Sequence, residues 1–183
     1  KSGQVMWDDK DLTGRPSHTM AGLGICYLPQ ERTVYPHLTV EQNIHLGSWT
    51  FRRDKARIRD ELARVYDLFP LMRERRKSKA GDLSGGMQKI LEVARGMMIR
   101  PEILICDEPT VGLAPIIAKE VYDTIERLKA DGLTILLVDQ NVREAIRIGD
   151  NIYVLEVGQN KVNGTRSEFE TNLHDMIKDW LQI

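Results

Sequence analysis

A chain of 183 residues with 42% apolar and 29% charged residues has the size and composition of one globular domain, which excludes a disordered protein. Its formal net charge of −1 argues against a dedicated nucleic-acid binder, which usually carries a strong basic excess. Because no apolar run is long enough to cross a bilayer, any work at a membrane is expected to depend on a partner.

In the first half of the chain, short apolar runs between turns predict strands, and a longer periodic stretch predicts helices. Residues 5–7 and 24–28 are expected to form two strands. From residue 39 to about residue 79, apolar residues recur at three- and four-residue spacing, which predicts helices. Arginine and lysine clusters in this stretch are interleaved with acidic residues. This favours a solvated helical face over the alternative, a nucleic-acid patch.

In the second half, strands and helices are predicted to alternate. In chain order we expect a glycine-rich loop at residues 81–86, a helix with Met87, Ile90, Leu91, Ala94 and Met97 on its inward face, a strand at residues 103–106 buried on both faces, a helix that ends near residue 131, a strand at residues 133–138, a short helix around residue 146, a hairpin of residues 152–155 and 161–162, and a terminal helix at residues 172–181. This alternation predicts an α/β fold with a mainly parallel sheet. Cys26 and Cys106 lie in apolar runs and are expected to be buried, reduced thiols.

The serine and glycines that precede the helix after residue 84 are the first chemical signal. Ser84 at the start of a helix leaves its hydroxyl and several unpaired amides available to phosphate oxygens. Gly85 and Gly86 would let a ligand approach the backbone closely. The alternative interpretation is a plain glycine-rich helix cap.

Two carboxylates that follow a predicted buried strand are the second signal. Asp107 and Glu108 stand at the carboxyl end of this strand, where ligands bind in open α/β sheets. Asp107 suits a magnesium site, and Glu108 suits a general base that polarises an attacking water. The alternative is a solvated acidic turn, which is less favoured when both signals occur in this order and spacing.

Together these motifs resemble the ABC ATPase family, and the resemblance covers essentially the whole chain. Residues 83–88 match the family's signature motif, and residues 103–108 match its Walker B strand. Gln30 matches the Q-loop glutamine, which in the family senses the γ-phosphate and magnesium and links to the membrane subunit.

The resemblance implies a P-loop NTPase-like ABC ATPase domain of the α/β class, with a mainly parallel sheet and an α-helical subdomain, N-terminally truncated. The chain is then one incomplete domain over residues 1–183. Its helical subdomain would span approximately residues 39–98, including the signature helix, and would form the docking surface for the membrane subunit. Residues 1–38 and 99–183 would form the catalytic α/β core.

The resemblance also implies ATP and Mg²⁺ as ligands, with each ATP held between two subunits. The implied site consists of the catalytic residues Glu108 and Gln140, the nucleotide-binding residues Gln30, Ser84, Gly85, Gly86 and Gln88, and the magnesium-binding residues Asp107 and Gln30.

Three features depart from the general family pattern. Gln140 stands where a histidine is usual; it can donate a hydrogen bond to a γ-phosphate but cannot become cationic. Ala114 replaces the D-loop aspartate, which removes one contact across the dimer. The chain contains no G-x-x-x-x-G-K-[ST] loop. In the family that loop precedes the position of Lys1, so we expect a missing segment, exposed apolar sheet surface, and weak or absent ATP binding and hydrolysis by this chain alone.

Finer features indicate the type of transporter. Residues 109–115 and 138–141 resemble the ATPase subunits of branched-chain amino-acid and related amide or urea importers. Residues 27–31 and 141–144 also resemble the lipopolysaccharide-export ATPase, which stays open as an alternative. The implied function is ATP hydrolysis that drives transport across a membrane.

The implied partners are a second ABC ATPase subunit, identical or different, and transmembrane permease subunits, with no nucleic acid. The implied location is peripheral, on the cytoplasmic face of the cell membrane. An alternative from another class is a non-hydrolytic interaction module that docks on a transporter subunit. A chromosome-maintenance ATPase of the same superfamily would need long coiled-coil arms, for which the predicted helical stretch is too short.

Overall fold

The computed structural model describes residues 3–171 as alternating strands and helices. The strands are β1 (Met6–Trp7), β2 (Lys10–Asp11), β3 (Ile25–Leu28), β4 (Ile103–Asp107), β5 (Thr134–Val138), β6 (Asn151–Glu156) and β7 (Gln159–Thr165). The α-helices are α1 (Val40–His45), α2 (Lys55–Leu68), α3 (Pro70–Glu74), α4 (Gly85–Met97), α5 (Pro115–Ala130) and α6 (Val142–Ile148), and 3-10 turns lie at Ser17–Leu23, Leu46–Phe51 and Ala80–Asp82. The helix predicted at residues 172–181 lies outside the described residues.

A three-stranded parallel sheet in the order β3-β4-β5 forms the centre of the fold. Leu28 pairs with Cys106, and Asp107 pairs with Val138, so the carboxyl ends of the three strands meet at one edge. β1 pairs with β2, and β6 with β7, in two separate antiparallel hairpins. The predicted parallel sheet and the hairpin near the end of the chain are therefore confirmed, and the edge where the strands end becomes the place to look for a site.

One hydrophobic core joins the sheet to the helices. Its buried members include Leu28, Leu104 and Cys106 of the sheet, Val40 and Ile44 of α1, Leu91 and Ala94 of α4, and Val121 and Ile125 of α5. Helices from both parts of the chain share this cluster with the central sheet, and the division at residues 39–98 stays a prediction. Cys106 is fully buried, Cys26 is partly buried, and both are free thiols.

The prediction that β4 is buried on both faces is wrong. Leu104 is fully buried on the face where α4 packs, and Gly96 of α4 lies against the Cys26 sulfur on the same face. Ile105 points to the other face and is only partly buried, because α4 covers one side of the sheet. Apolar side chains exposed on this second face are Tyr27, Leu136 and Val138, with exposed fractions of 57%, 51% and 51%. The expected exposed sheet surface is therefore present.

Side-chain caps set where the helices between β3 and β4 begin. Thr39 Oγ1 accepts a 3.1 Å hydrogen bond from the Gln42 N–H, and Gln42 Oε1 accepts a 2.8 Å bond from the Thr39 N–H. Asp54 Oδ1 accepts a 3.0 Å bond from the Arg57 N–H at the start of α2. These bonds satisfy first-turn amides that have no partner within the helix. Among residues 3–171, no helix combines the length and apolar character needed to cross a bilayer.

Candidate active site

Asp107 lies at the carboxyl edge of the parallel sheet, as the last residue of β4. The Tyr27 hydroxyl donates a 2.9 Å hydrogen bond to Asp107 Oδ2. Tyr27 pairs with Ile105, two residues before Asp107, so both side chains project from the same face of the sheet. This hydrogen bond to a carboxylate raises the pKa of the Tyr27 phenol, because ionising the phenol would break it.

Glu108 leaves the sheet with an unusual backbone conformation. Its φ of 42° lies in the left-handed region, which costs a residue with a side chain on the order of 1 kcal/mol or more. The Glu108 N–H donates a 2.8 Å bond to the Val138 carbonyl oxygen, which ties this turn to the end of β5. The side chain then reaches the segment after β3, where Gln30 Nε2 donates a 2.8 Å hydrogen bond to Glu108 Oε2.

The structure therefore brings two of the sequence-predicted residues, Gln30 and Glu108, into direct contact. Gln30 lies in residues 29–33, a segment without regular secondary structure. β3 and β4 are neighbours in the sheet, so this segment and Glu108 start from the same edge. Since Nε2 of Gln30 donates to Glu108, its Oε1 remains available as an acceptor.

Ser84 is the N-cap of α4, as predicted. Its Oγ accepts a 3.3 Å hydrogen bond from the Met87 N–H. Of the two glycines that follow Ser84, Gly86 is needed for packing, in addition to the close approach of a ligand that the sequence predicts. A Cβ on Gly86 would lie 2.2 Å from Ile117 Cγ2, and one on Gly85 would lie 2.7 Å from the Arg32 guanidinium. Close contact with Ile117 of α5 therefore requires Gly86, whereas Arg32 is exposed and flexible, so its contact alone does not require a glycine at position 85.

The Gln88 side chain holds the loop that precedes α4. Its Nε2 donates to the carbonyl oxygens of Leu83 and Ala80, at 3.1 and 3.2 Å. This directs the amide nitrogen toward its own loop. A direct contact between Gln88 and a nucleotide stays a prediction.

Gln140 is exposed, two residues beyond the end of β5. The preceding residue, Asp139, is fixed by a network that the sequence did not reveal. The buried Tyr122 hydroxyl donates a 2.8 Å hydrogen bond to Asp139 Oδ2, and it lies 2.8 Å from Thr110 Oγ1. Thr110 follows Glu108 by two residues, so Tyr122 links the loop after Glu108 to the loop that carries Gln140.

The predicted site residues thus form two groups. Gln30, Asp107 and Glu108 lie at the sheet edge, with Gln140 after the neighbouring strand, whereas Ser84, Gly85, Gly86 and Gln88 lie on α4 or at its start. Within residues 3–171, no hydrogen bond joins the Ser84 side chain to the first group. The sequence did not predict a role for Tyr27 in this site. Tyr27 pairs with Ile105, two residues before Asp107, so the strand register would have placed its side chain beside Asp107.

The side-chain oxygen atoms at this edge of the sheet are suitable ligands for a nucleotide-bound magnesium ion. Mg²⁺ keeps several waters and is usually held by one or two carboxylates together with substrate phosphates. Asp107 Oδ1 and Gln30 Oε1 are oxygens that take no part in the hydrogen bonds described for this edge. Within the described part of the chain, no group of three or more His, Cys, Asp or Glu residues forms a metal cage, and a phosphate-dependent site needs none.

A parallel sheet with Asp107 and Glu108 at its carboxyl edge, a glutamine hydrogen-bonded to Glu108, and a glycine-rich helix tip are the features expected of a nucleotide-binding ATPase domain. The family model described as "ABC transporter" matches residues 1–111. The chain belongs to this family, whose ATP-binding domains hydrolyse ATP.

Related proteins of known name indicate which type of ABC transporter subunit the chain resembles. The high-affinity branched-chain amino acid transport ATP-binding protein BraG of Pseudomonas aeruginosa is 38% identical over 171 residues, which covers 93% of this chain and 72% of BraG. A probable branched-chain amino acid transport ATP-binding protein, LivF of Archaeoglobus fulgidus, is 42% identical over 91% of this chain and 70% of its own length. The lipopolysaccharide export system ATP-binding protein LptB of Escherichia coli is 32% identical over 94% and 72%.

Solved structures support the same fold. A nucleotide-free ATP-binding cassette from an ABC transporter superposes with a TM-score of 0.80 at 23% identity, covering 95% of this chain and 74% of that one. The ATP-binding cassette MJ1267 gives a TM-score of 0.83 at 24% identity, covering 100% and 77%. The expected family, fold class and ATP-binding subunit type are confirmed. The roles of the individual site residues, and the expected inactivity of this chain alone, stay predictions.

Proposed function

We propose that this protein is the ATP-hydrolysing subunit of an importer for branched-chain amino acids or related amides, on the cytoplasmic face of the membrane. The relatives at 38% and 42% identity support the importer type, because both are named for branched-chain amino acid transport. The observation that carries the hydrolytic role is the 2.8 Å hydrogen bond from Gln30 Nε2 to Glu108 Oε2 at the carboxyl edge of the sheet.

In this proposal Glu108 is the general base for the attacking water. Its carboxylate accepts a proton as the water oxygen bonds to the γ-phosphorus and the bond to the β–γ bridging oxygen breaks, leaving ADP and phosphate. The Gln30 amide orients this carboxylate through the hydrogen bond to Oε2, and the left-handed backbone at Glu108 turns it toward Gln30. Asp107 stays available on the sheet face, held in place by Tyr27.

Asp107 and Gln30 are the residues that would hold a nucleotide-bound magnesium ion through oxygen atoms. The ion would neutralise charge on the β- and γ-phosphates. The amides at the start of α4 and the Ser84 hydroxyl are suited to phosphate oxygens, since a helix N-terminus carries partial positive charge. Because Ser84 is not bonded to Glu108 within residues 3–171, we propose that it serves a nucleotide bound to a second ATPase subunit. Gln140 would donate a hydrogen bond to the γ-phosphate.

We further propose that a permease subunit docks in an open groove beside the Gln30 segment. The residues that line this groove include Thr33, Tyr35, Leu46 and Trp49. Tyr35 and Trp49 are 55% and 66% exposed, and large exposed aromatic side chains in a concave surface favour a protein partner. A partner bound there would touch the segment that positions Gln30.

The test is the ATPase rate, in lipid vesicles, of a transporter assembled from permease partners and this ATPase subunit in a form that includes the G-x-x-x-x-G-K-[ST] loop. Replacing the general base, Glu108→Gln, is expected to lower the rate by at least about 100-fold. Glu120→Gln changes an exposed carboxylate of α5 and serves as the matched control. A Glu108→Gln transporter that retains half of its ATPase rate would overturn the proposal.

The alternatives make different predictions in the same vesicles. A non-hydrolytic module predicts no effect of Glu108→Gln on turnover. Lipopolysaccharide export is less favoured, because the exporter's ATPase is 32% identical, against 38% and 42% for the importer subunits. Stimulation of ATP hydrolysis by a leucine-loaded binding protein supports the importer, whereas stimulation by lipopolysaccharide alone supports the exporter.

A further inference from the structure

Three charged side chains of α4 point at the segment that carries Gln30. Lys89, Glu92 and Arg95 are spaced three residues apart, so they lie along one side of the helix. The Lys89 and Glu92 side chains are buried, with exposed fractions of 4% and 0%. Buried charges of this kind call for a physical explanation, because removing them from water is costly.

The Lys89 ammonium group contacts both the Glu92 carboxylate and the backbone of the Gln30 segment. It lies 2.8 Å from Glu92 Oε2, and it donates hydrogen bonds to the carbonyl oxygens of Pro29 at 3.0 Å and Gln30 at 3.4 Å. Two of the three N–H donors of the ammonium group therefore bond the backbone, and the contact with Glu92 is an ion pair. The backbone peptide groups before and after the Gln30 Cα atom are thereby held against α4.

The far end of the same segment is held by the next two residues. Glu92 Oε1 accepts a hydrogen bond from the Thr33 N–H. Arg95 donates to the Thr33 carbonyl oxygen at 2.8 Å and to its hydroxyl at 2.5 Å. Residues 29–33 have no regular secondary structure, so side chains of α4 supply partners that a strand ladder would otherwise provide.

Stability alone does not account for the buried pair. Well-packed apolar residues of similar volume are often as stabilising as a buried ion pair. What an apolar pair lacks is the set of directed bonds to Pro29, Gln30 and Thr33. We infer that Lys89 and Glu92 are positioning residues that fix the backbone of residues 29–33 so that the Gln30 side chain remains hydrogen-bonded to Glu108. This inference rests on the proposed roles of Gln30 and Glu108.

Nuclear magnetic resonance of the full chain without nucleotide tests this inference. The Gln30 side-chain amide signal is assigned by its loss in Gln30→Ala, and its shift in Glu108→Gln shows the contact. The double variant Lys89→Met with Glu92→Met removes both buried charges and is expected to fold. We expect its Gln30 amide signal to move to the position of a solvated glutamine, and the backbone amides of residues 30–33 to exchange at least about tenfold faster while α4 stays protected.

Matched variants separate positioning from a general effect. Lys89→Arg keeps a cationic donor at this position, and its Gln30 side-chain amide signal is expected to stay close to the position seen in the parent protein. Lys119→Met breaks a 2.8 Å ion pair with Asp123 on α5, where the side chains are 70% and 47% exposed, and is expected to leave the signal unchanged. A folded double variant with an unchanged Gln30 signal would overturn the inference.

A measurement on the unchanged protein covers the case in which the double variant does not fold. The Thr33 N–H, held by the buried Glu92 carboxylate, is expected to exchange at least about 100-fold more slowly than an unstructured peptide amide. Exchange at the unstructured rate would refute the inference. Failure of the proposed function is recognised separately: an unaffected ATPase rate in Glu108→Gln transporters would remove the function and leave the Gln30 contact intact.

Discussion

The tip of α4 packs so closely on α5 that adding one methyl group is expected to destabilise the protein. The perturbation is Gly86→Ala. A Cβ on Gly86 would lie 2.2 Å from Ile117 Cγ2 and 3.6 Å from the Ile117 carbonyl oxygen. Ile117 is β-branched and lies in the first turn of α5, so its side chain has few alternative rotamers. The helix ends must therefore move apart.

Two opposing effects set the size of the change. Alanine is favoured over glycine in a helix by at most about 1 kcal/mol, and by less in a first turn. Inserting a methyl group into a packed contact costs about 1–3 kcal/mol. The balance predicts a net loss of about 1–2 kcal/mol in the free energy of unfolding. The clash decides the sign.

Urea unfolding of the chain measures this loss as a lower midpoint with an unchanged slope. Gly22→Ala is the matched control, because no atom lies within 4 Å of the added Cβ; it is expected to leave the midpoint unchanged or raise it slightly. Ile117→Ala removes the clashing methyl, so the cost of Gly86→Ala in that background is expected to fall below about 0.5 kcal/mol. Equal stability of Gly86→Ala and the parent chain would refute the packing argument.

Three further predictions follow from the edge of the sheet and its surroundings. Glu108→Gly is expected to be more stable than Glu108→Ala by about 1 kcal/mol in urea unfolding, because both lose the carboxylate but only glycine tolerates a φ of 42° without strain. Tyr122→Phe is expected to lower the free energy of unfolding by about 1–2 kcal/mol, since the Asp139 carboxylate loses its 2.8 Å donor; unchanged stability would contradict this. Burial raises the pKa of Cys26 to about 11 and of Cys106 to about 12, so both thiols stay protonated at pH 8, and iodoacetamide is expected to label them at least about tenfold faster after unfolding. Because the unfolded thiols ionise near their ordinary pKa of 9.0, the same shifts are expected to remove stability as the pH rises from about 9 toward 12.

Much of the sheet edge was predictable from local patterns. Apolar runs that alternate with periodic helical stretches predict a parallel sheet, and parallel strands end at one edge. Asp107 and Glu108 were predicted at the carboxyl end of a strand from this pattern, whereas the family resemblance alone implied that Gln30 shares a magnesium site with Asp107. The contact between Gln30 and Glu108 and its 2.8 Å distance came from the structure.

The buried side of α4 was not predictable in the same way. The inward face expected from apolar spacing included Met87 and Ile90, which are only partly buried, whereas the charged Lys89 and Glu92 are almost fully buried. Apolar periodicity predicts burial from the hydrophobicity of each residue alone. It does not show which backbone carbonyl oxygens of a neighbouring loop lack a partner and could accept a bond from a buried lysine. The loop at residues 29–33 is far from Lys89 in sequence, since Lys89 and its hydrogen-bond partner Pro29 are 60 positions apart.

Gly86 at the start of α4 shows how one residue is explained at two levels. From sequence, Gly85 and Gly86 favour a close approach of ligand to backbone. In the structure, Gly86 is also required by Ile117 of α5. Contacts between elements separated in sequence supply the second reason, and only coordinates reveal it.

The sequence by itself determined the family, the α/β architecture and the residues that stand at strand and helix ends, because these depend on apolar periodicity, turn residues and short motifs that act locally. The tertiary structure decided which of these residues touch: Glu108 with Gln30, Asp107 with Tyr27, and the buried Lys89 and Glu92 with the loop at residues 29–33. It also decided which face of the sheet α4 covers and which apolar side chains the other face exposes. Such contacts depend on register and packing between distant segments, where small differences in distance change which donors and acceptors meet.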